Sequence, residues 1–139
     1  MSKDWTADEA RTVTDTLTVD MEYMFYGAAA YNQPMNDWDV SKVTDMHSMF
    51  YYAAAYNQPM NDWDVSNVTN MYSMFEDAAA YNQSLNDWNI SSVTNMQYMF
   101  YDATAFNQNL CAWGTKLQTT ANVDGMLVVL AVLTLLILI

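Results

Sequence analysis

The chain has 139 residues, enough for one domain at most. Sixteen acidic against four basic residues give a net charge of -12, which repels nucleic-acid phosphates and does not favour anionic lipid head groups. Cys111 is the only cysteine, so an internal disulfide framework and a thiolate-built metal centre are both excluded.

Residues 1–17 are polar and Thr-rich, and Thr6 is followed three positions later by Glu9, a capping-box pattern that predicts a short N-terminal cap helix. An end cap suits a repeat array, because a terminal repeat otherwise leaves its apolar face in water. The first eleven residues hold no apolar core of a secretory signal. The expectation is a chain not exported by that route, or one whose leader precedes Met1.

Residues 18–113 form the repeat domain, with columns recurring every 25 residues. Met21, Met46, Met71 and Met96 make one column; Met24, Met49, Met74 and Met99 a second; Phe25, Phe50, Phe75 and Phe100 a third. Further on come Ala30, Ala55, Ala80 and Ala105, then Tyr31, Tyr56, Tyr81 and Phe106, and each unit closes on Trp38, Trp63, Trp88 or Trp113. Glu22, His47, Tyr72 and Gln97 share a column without common chemistry, which marks it as solvent facing.

Two periodicities predict the local structure of each unit. Met46, Met49, Phe50 and Ala53 fall at i, i+3, i+4 and i+7, the spacing of one helix face, with Thr44 at the N-cap position. Met60 to Val65 alternates apolar and polar residues, which predicts a short strand. The predicted fold class is therefore an α/β repeat: a β/α solenoid of about four units. Its strands are expected to pair in a parallel ladder about 4.8 Å apart.

After Trp113, residues 114–125 read as a polar linker, and 126–139 as a hydrophobic helix without charge or breaker. That helix is roughly 21 Å long, against a hydrocarbon core of about 30 Å. Met126, Leu127, Val128, Val129, Leu130, Val132, Leu133, Leu135, Leu136, Ile137, Leu138 and Ile139 are its anchoring or assembling side chains. They are expected to enter a membrane or to bundle with sister subunits.

The words Val-Thr-x-Met-x-x-Met-Phe, Ala-x-Tyr/Phe-Asn-Gln-x-Leu/Met and Trp-Asp-Val-Ser, in four consecutive copies between Leu17 and Trp113, resemble the BspA-like surface-protein repeat. This is a leucine-rich-repeat relative found in mycoplasma lipoproteins and in proteins of microbes and microalgae. The resemblance implies a β/α solenoid displayed at a cell surface, extracellular or membrane-associated, for adhesion or self-assembly and without enzymatic activity. It implies no cofactor.

Column by column, most chemical groups have a structural explanation. The recurring Asn-Gln pairs are expected to form a side-chain ladder along the backbone, which claims Asn82 and its sequon. Asn67 and Asn89 are the better glycosylation acceptors. Asp37, Asp62 and Asp87 share one column, and Asp39 and Asp64 another. Carboxylates repeated at about 5 Å either cap backbone amides or share a cation, so these five are the Ca²⁺ candidates, with turn capping as the competing explanation. A Trp in every unit is core before it is a sugar platform. His47, Tyr72, Gln97, Tyr51 and Tyr101 are the candidate surface contacts, for other surface proteins or for glycans. No nucleophile-base arrangement, zinc spacing or phosphate loop occurs, and the chain has three Gly. The sequence thus predicts a non-enzymatic surface or structural protein, with a binding module for carbohydrate or Ca²⁺ as the alternative.

Overall fold

The computed structural model describes residues 20–127. Within them the chain winds into stacked coils whose register is given by parallel bridges linking Asp20 to Asp45, Asp45 to Asn70, Asn70 to Asn95 and Asn95 to Asn122. The 25-residue column spacing of the sequence is therefore the rise from one coil to the next.

The predicted helix and strand of each unit are not formed. Among the described residues the regular structure consists of those isolated bridges and one turn of 3-10 helix, Cys111–Trp113. Met46 to Ala53 is instead two successive four-residue turns, closed by Met49 N–H to the Met46 carbonyl at 3.3 Å and Ala53 N–H to the Phe50 carbonyl at 2.9 Å. The third residue of each turn, Ser48 or Tyr52, lies at positive φ (54° and 57°), as a type II turn requires. The same geometry recurs at Ser73 and Asp77 and at Tyr98 and Asp102.

This explains why a helical spacing yields no helix. In two tandem turns the first and last residues of each point inward, so positions i, i+3, i+4 and i+7 are buried, as on a helix face. Met46, Met49, Phe50 and Ala53 are all buried. The predicted strand is likewise two turns, Met60 to Trp63 and Val65 to Val68, again with buried first and last residues.

The backbone ladder runs on the opposite side from the one the alternation predicted. Met46, Ser48, Phe50 and Tyr52 donate their N–H groups to the carbonyls of Asn70, Tyr72, Met74 and Glu76 at 2.8–3.0 Å. Alternate amides thus bond the next coil while those between them close turns. On the Trp side the coils are tied by side chains: the indole Nε1 of Trp88 donates to the Met60 carbonyl at 2.8 Å. The core between these two sides is a set of ring stacks. Phe25, Phe50, Phe75 and Phe100 follow one another at centroid spacings of 5.3, 5.4 and 5.5 Å.

The segment read as a linker adds to the stack. Asn122, Asp124 and Met126 accept from the N–H groups of Met96, Tyr98 and Phe100, and the Lys116 ammonium reaches back to the carbonyls of Asn86 and Trp88, both at 3.1 Å. Gly125 holds the positive-φ place (65°) in this turn, with the Tyr98 ring against it so closely that a Cβ would lie 2.5 Å from Cδ1. Met126 and Leu127 take the places of Met99 and Phe100 one coil earlier and pack, half-buried, on the core. The predicted cap helix and the rest of the hydrophobic tail lie outside the described residues. Among the described residues no helix is long and apolar enough to cross a membrane.

Candidate contact face

The Asn-Gln pairs form the expected ladder. The Asn32 side-chain oxygen accepts the N–H of Asn57, Asn57 that of Asn82, and Asn82 that of Asn107, each at 2.9 Å. Gln58, Gln83 and Gln108 donate to the same oxygens at 3.1, 3.0 and 2.9 Å. Each Asn oxygen therefore takes two donors from the following coil and has little left to offer a ligand.

The acidic columns are engaged locally as well. Asp62 accepts from the Asn36 amide, whose own oxygen takes the Asp62 N–H at 3.1 Å. Asp87 and Asn61 repeat this reciprocal pair. Asp39 accepts from both the hydroxyl and the N–H of Ser41, and these bonds hold its carboxyl below the ordinary carboxylate range. Asp64 does the same with Ser66. Asp37 is exposed. The turn-capping alternative thus describes Asp39 and Asp64, and paired amides describe Asp62 and Asp87. Both glycosylation candidates are exposed; the Asn67 amide donates to the Ser41 carbonyl at 2.8 Å and the Asn89 oxygen accepts from Ser91 N–H.

The five candidate contact residues stand on or beside the ladder, but each is half-buried. Tyr72 and Gln97 have their N–H groups tied to Asn70 and Asn95, both at 3.1 Å. Among the described residues the exposed aromatics are others: Tyr23, Tyr26 and Tyr52, at 52%, 41% and 50% exposure. They join Tyr51 in one patch on the first two coils. Tyr26 stacks on Tyr51 at 5.0 Å, Tyr51 stands edge-on to Tyr52 at 4.4 Å, and Tyr23 is edge-on to Tyr26 at 5.7 Å. Tyr23 and Tyr52 both sit at positive φ, 56° and 57°. Tyr26 shares the column of Tyr51 and Tyr101, whereas the spacing of the sequence does not single out Tyr23 or Tyr52.

His47 is drawn into a polar cluster that its variable column did not suggest. Its Nδ1 lies 2.9 Å from Asp45 Oδ1 and 3.3 Å from Glu22 Oε2, so it bridges two coils. Tyr23 covers the imidazole edge-on at 4.6 Å. Burial pulls the Asp45 carboxyl upward, but donation from the His47 backbone and ring and from the Asn70 amide outweighs it and holds the group below its ordinary value.

A turn-built stack with its polar columns internally paired, and with an exposed aromatic patch among the described residues, defines a repeat protein. The family described as "Mycoplasma protein of unknown function, DUF285" matches residues 15–130, and the chain belongs to that family. The match extends past Trp113 to include the added turn at Asn122 to Met126. No curated protein and no solved structure matches the chain.

Proposed function

We propose that this chain is a non-enzymatic surface-display module of the BspA-like kind, and that its tyrosine patch makes adhesive contacts. The observation that carries the proposal is the backbone at Tyr23 and Tyr52. A bulky residue in the left-handed region costs about 1–2 kcal/mol, and both side chains lie half in water. The Tyr23 column continues as Ser48, Ser73 and Tyr98, and the Tyr52 column holds Gly27, Asp77 and Asp102; Tyr98 packs half-buried against Gly125, whereas the rings of Tyr23 and Tyr52 stand half in water. Strain spent on exposed aromatic rings serves contact better than packing. The 12 residues beyond Leu127 fix the module to a membrane or to sister subunits at a cell surface.

A second reading names the ligand as carbohydrate, because the flat faces around Tyr26 and Tyr51 suit stacking against a sugar ring. The test uses substitutions already present in the repeat. Beads coated with the full chain are applied to cell monolayers and to a glycan panel, beside the double variant Tyr23→Ser, Tyr52→Gly. The expected result is retention that the variant loses without losing its melting transition. Equal retention of the two proteins contradicts the proposal, and retention on cells but on no glycan removes the second reading.

A further inference from the structure

We infer that Glu22, Asp45 and His47 form a divalent transition-metal site that staples the first coil to the second. Among the described residues, theirs are the His, Cys, Asp and Glu ligand atoms that come together from three side chains, all within 4.8 Å of one another. The donor set is one imidazole nitrogen and two carboxylate oxygens. This is the chemistry of zinc-class ions, whereas Ca²⁺ asks for six or more oxygens.

The spacing fits such an ion. Two ligands held about 2.1 Å from a tetrahedral ion lie about 3.4 Å apart. The imidazole Nδ1 is 2.9 Å from one carboxylate oxygen and 3.3 Å from the other. Only small side-chain movements therefore separate the hydrogen-bonded cluster from a chelating one. To bind the ion the imidazole presents the Nδ1 lone pair and carries its proton on Nε2, and the ion takes the place of the Nδ1–carboxylate hydrogen bond. Glu22 is the exposed arm, its side chain half in water, and with three protein ligands the fourth position stays open to water.

Asp45 is the fixed arm. Its Oδ2 is held by the Asn70 amide at 3.1 Å and its Oδ1 by the His47 N–H at 2.9 Å, which aim the carboxylate at the imidazole before any ion arrives. At the next two steps of the stack the corresponding column holds Asn70 and Asn95, and the His47 column holds Tyr72 and Gln97. A carboxylate pair flanking an imidazole is thus peculiar to the first step. The ion would clamp the two coils that carry the tyrosine patch, with Tyr23 packed on its histidine ligand.

The experiment is calorimetric titration of the full chain with ZnCl₂, in the presence of excess CaCl₂ to occupy unspecific acidic surface. Glu22→Gln and His47→Gln each introduce the residue that the column already carries at Gln97, so the fold is retained. The wild type is expected to take up one ion and to gain melting temperature, with the ion's uptake lost in H47Q. Because removing even an outer-shell partner costs about 10–100-fold in metal affinity, E22Q is expected to bind at least about ten-fold more weakly. Absence of saturable uptake by the wild type, or uptake by either variant equal to that of the wild type, overturns the inference.

Discussion

The indole Nε1 of Trp63 donates to the carbonyl of Met35 in the preceding coil at 2.8 Å, and both residues are buried. Trp88 with Met60 and Trp113 with Leu85 repeat the bond. Each tryptophan thus does for the turn side of the stack what backbone pairing does for the ladder side.

Trp63→Phe keeps the aromatic bulk but leaves the Met35 carbonyl buried without its donor. The unpaired group costs about 1–3 kcal/mol, and the volume lost with the larger ring adds to it. Equilibrium urea unfolding is expected to report a loss of about 2–4 kcal/mol. A loss below about 0.5 kcal/mol, the size usual for surface changes, argues against the bond as a structural tie.

The hydroxyls of Tyr31, Tyr56 and Tyr81 are buried without a hydrogen-bond partner, and burial drives the phenols of Tyr56 and Tyr81 far above the ordinary value of 10.0. Phe106 ends their column, so the site accepts a ring without a hydroxyl. The double variant Tyr56→Phe, Tyr81→Phe is therefore expected to be as stable as the wild type or more so at neutral pH. The sign above neutrality follows from the raised folded values. The stability these phenols confer is complete below the ordinary phenol value and falls as pH rises beyond it, by about 1.4 kcal/mol per pH unit for each group. Urea midpoints measured from pH 9 to 11 are expected to fall steeply in the wild type and more gently in the double variant; parallel slopes contradict the assignment.

Asp77 sits one coil before Asp102 in the same column, both at positive φ. Burial and then the Asp102 charge push the Asp77 carboxyl above its ordinary value, against a bond from Tyr52 that lowers it. A carboxyl raised in the folded state favours folding when protonated and opposes it when charged, so its penalty is absent at low pH and complete above the folded value. Asp77→Asn keeps a residue type that tolerates left-handed backbone. It is expected to stabilise the chain at pH 7 by less than about 1 kcal/mol and to change nothing near pH 3. Thermal melts at the two pH values check this, and destabilisation at pH 7 contradicts it.

The repeat length, the inward columns and the Asn-Gln ladder were legible in the sequence, because each depends on residue identity recurring at a fixed interval. The local conformation was not. Met46, Met49, Phe50 and Ala53 satisfy helix spacing and tandem-turn spacing equally, and Met60 to Val65 is short enough for alternation to arise from two turns. The signal that separates them is the positive-φ place of each turn: in the first turn Gly125 stands where earlier coils have Ser48, Ser73 and Tyr98, and in the second Gly27 stands where later coils have Tyr52, Asp77 and Asp102. Asn122 to Leu127 escaped notice as a further copy because two added residues break the 25-residue step, visible as the bridge from Asn95 to Asn122. The cluster at His47 was hidden for another reason. Its partners come from two columns and two coils, and column-wise comparison separates residues that the ladder brings together.

The proposed contact face and the proposed metal site both require that Val43 to Ala53 runs as a ladder of turns stacking Glu22, His47 and Tyr72 in successive coils. Backbone nuclear Overhauser contacts in the labelled protein test it directly. The ladder predicts contacts from the Tyr23 amide to the His47 backbone and from the Ser48 amide to the Tyr72 backbone, matching hydrogen bonds of 3.1 and 2.8 Å. An unbroken i to i+3 series from Met46 to Ala53 with no contact between coils would contradict it.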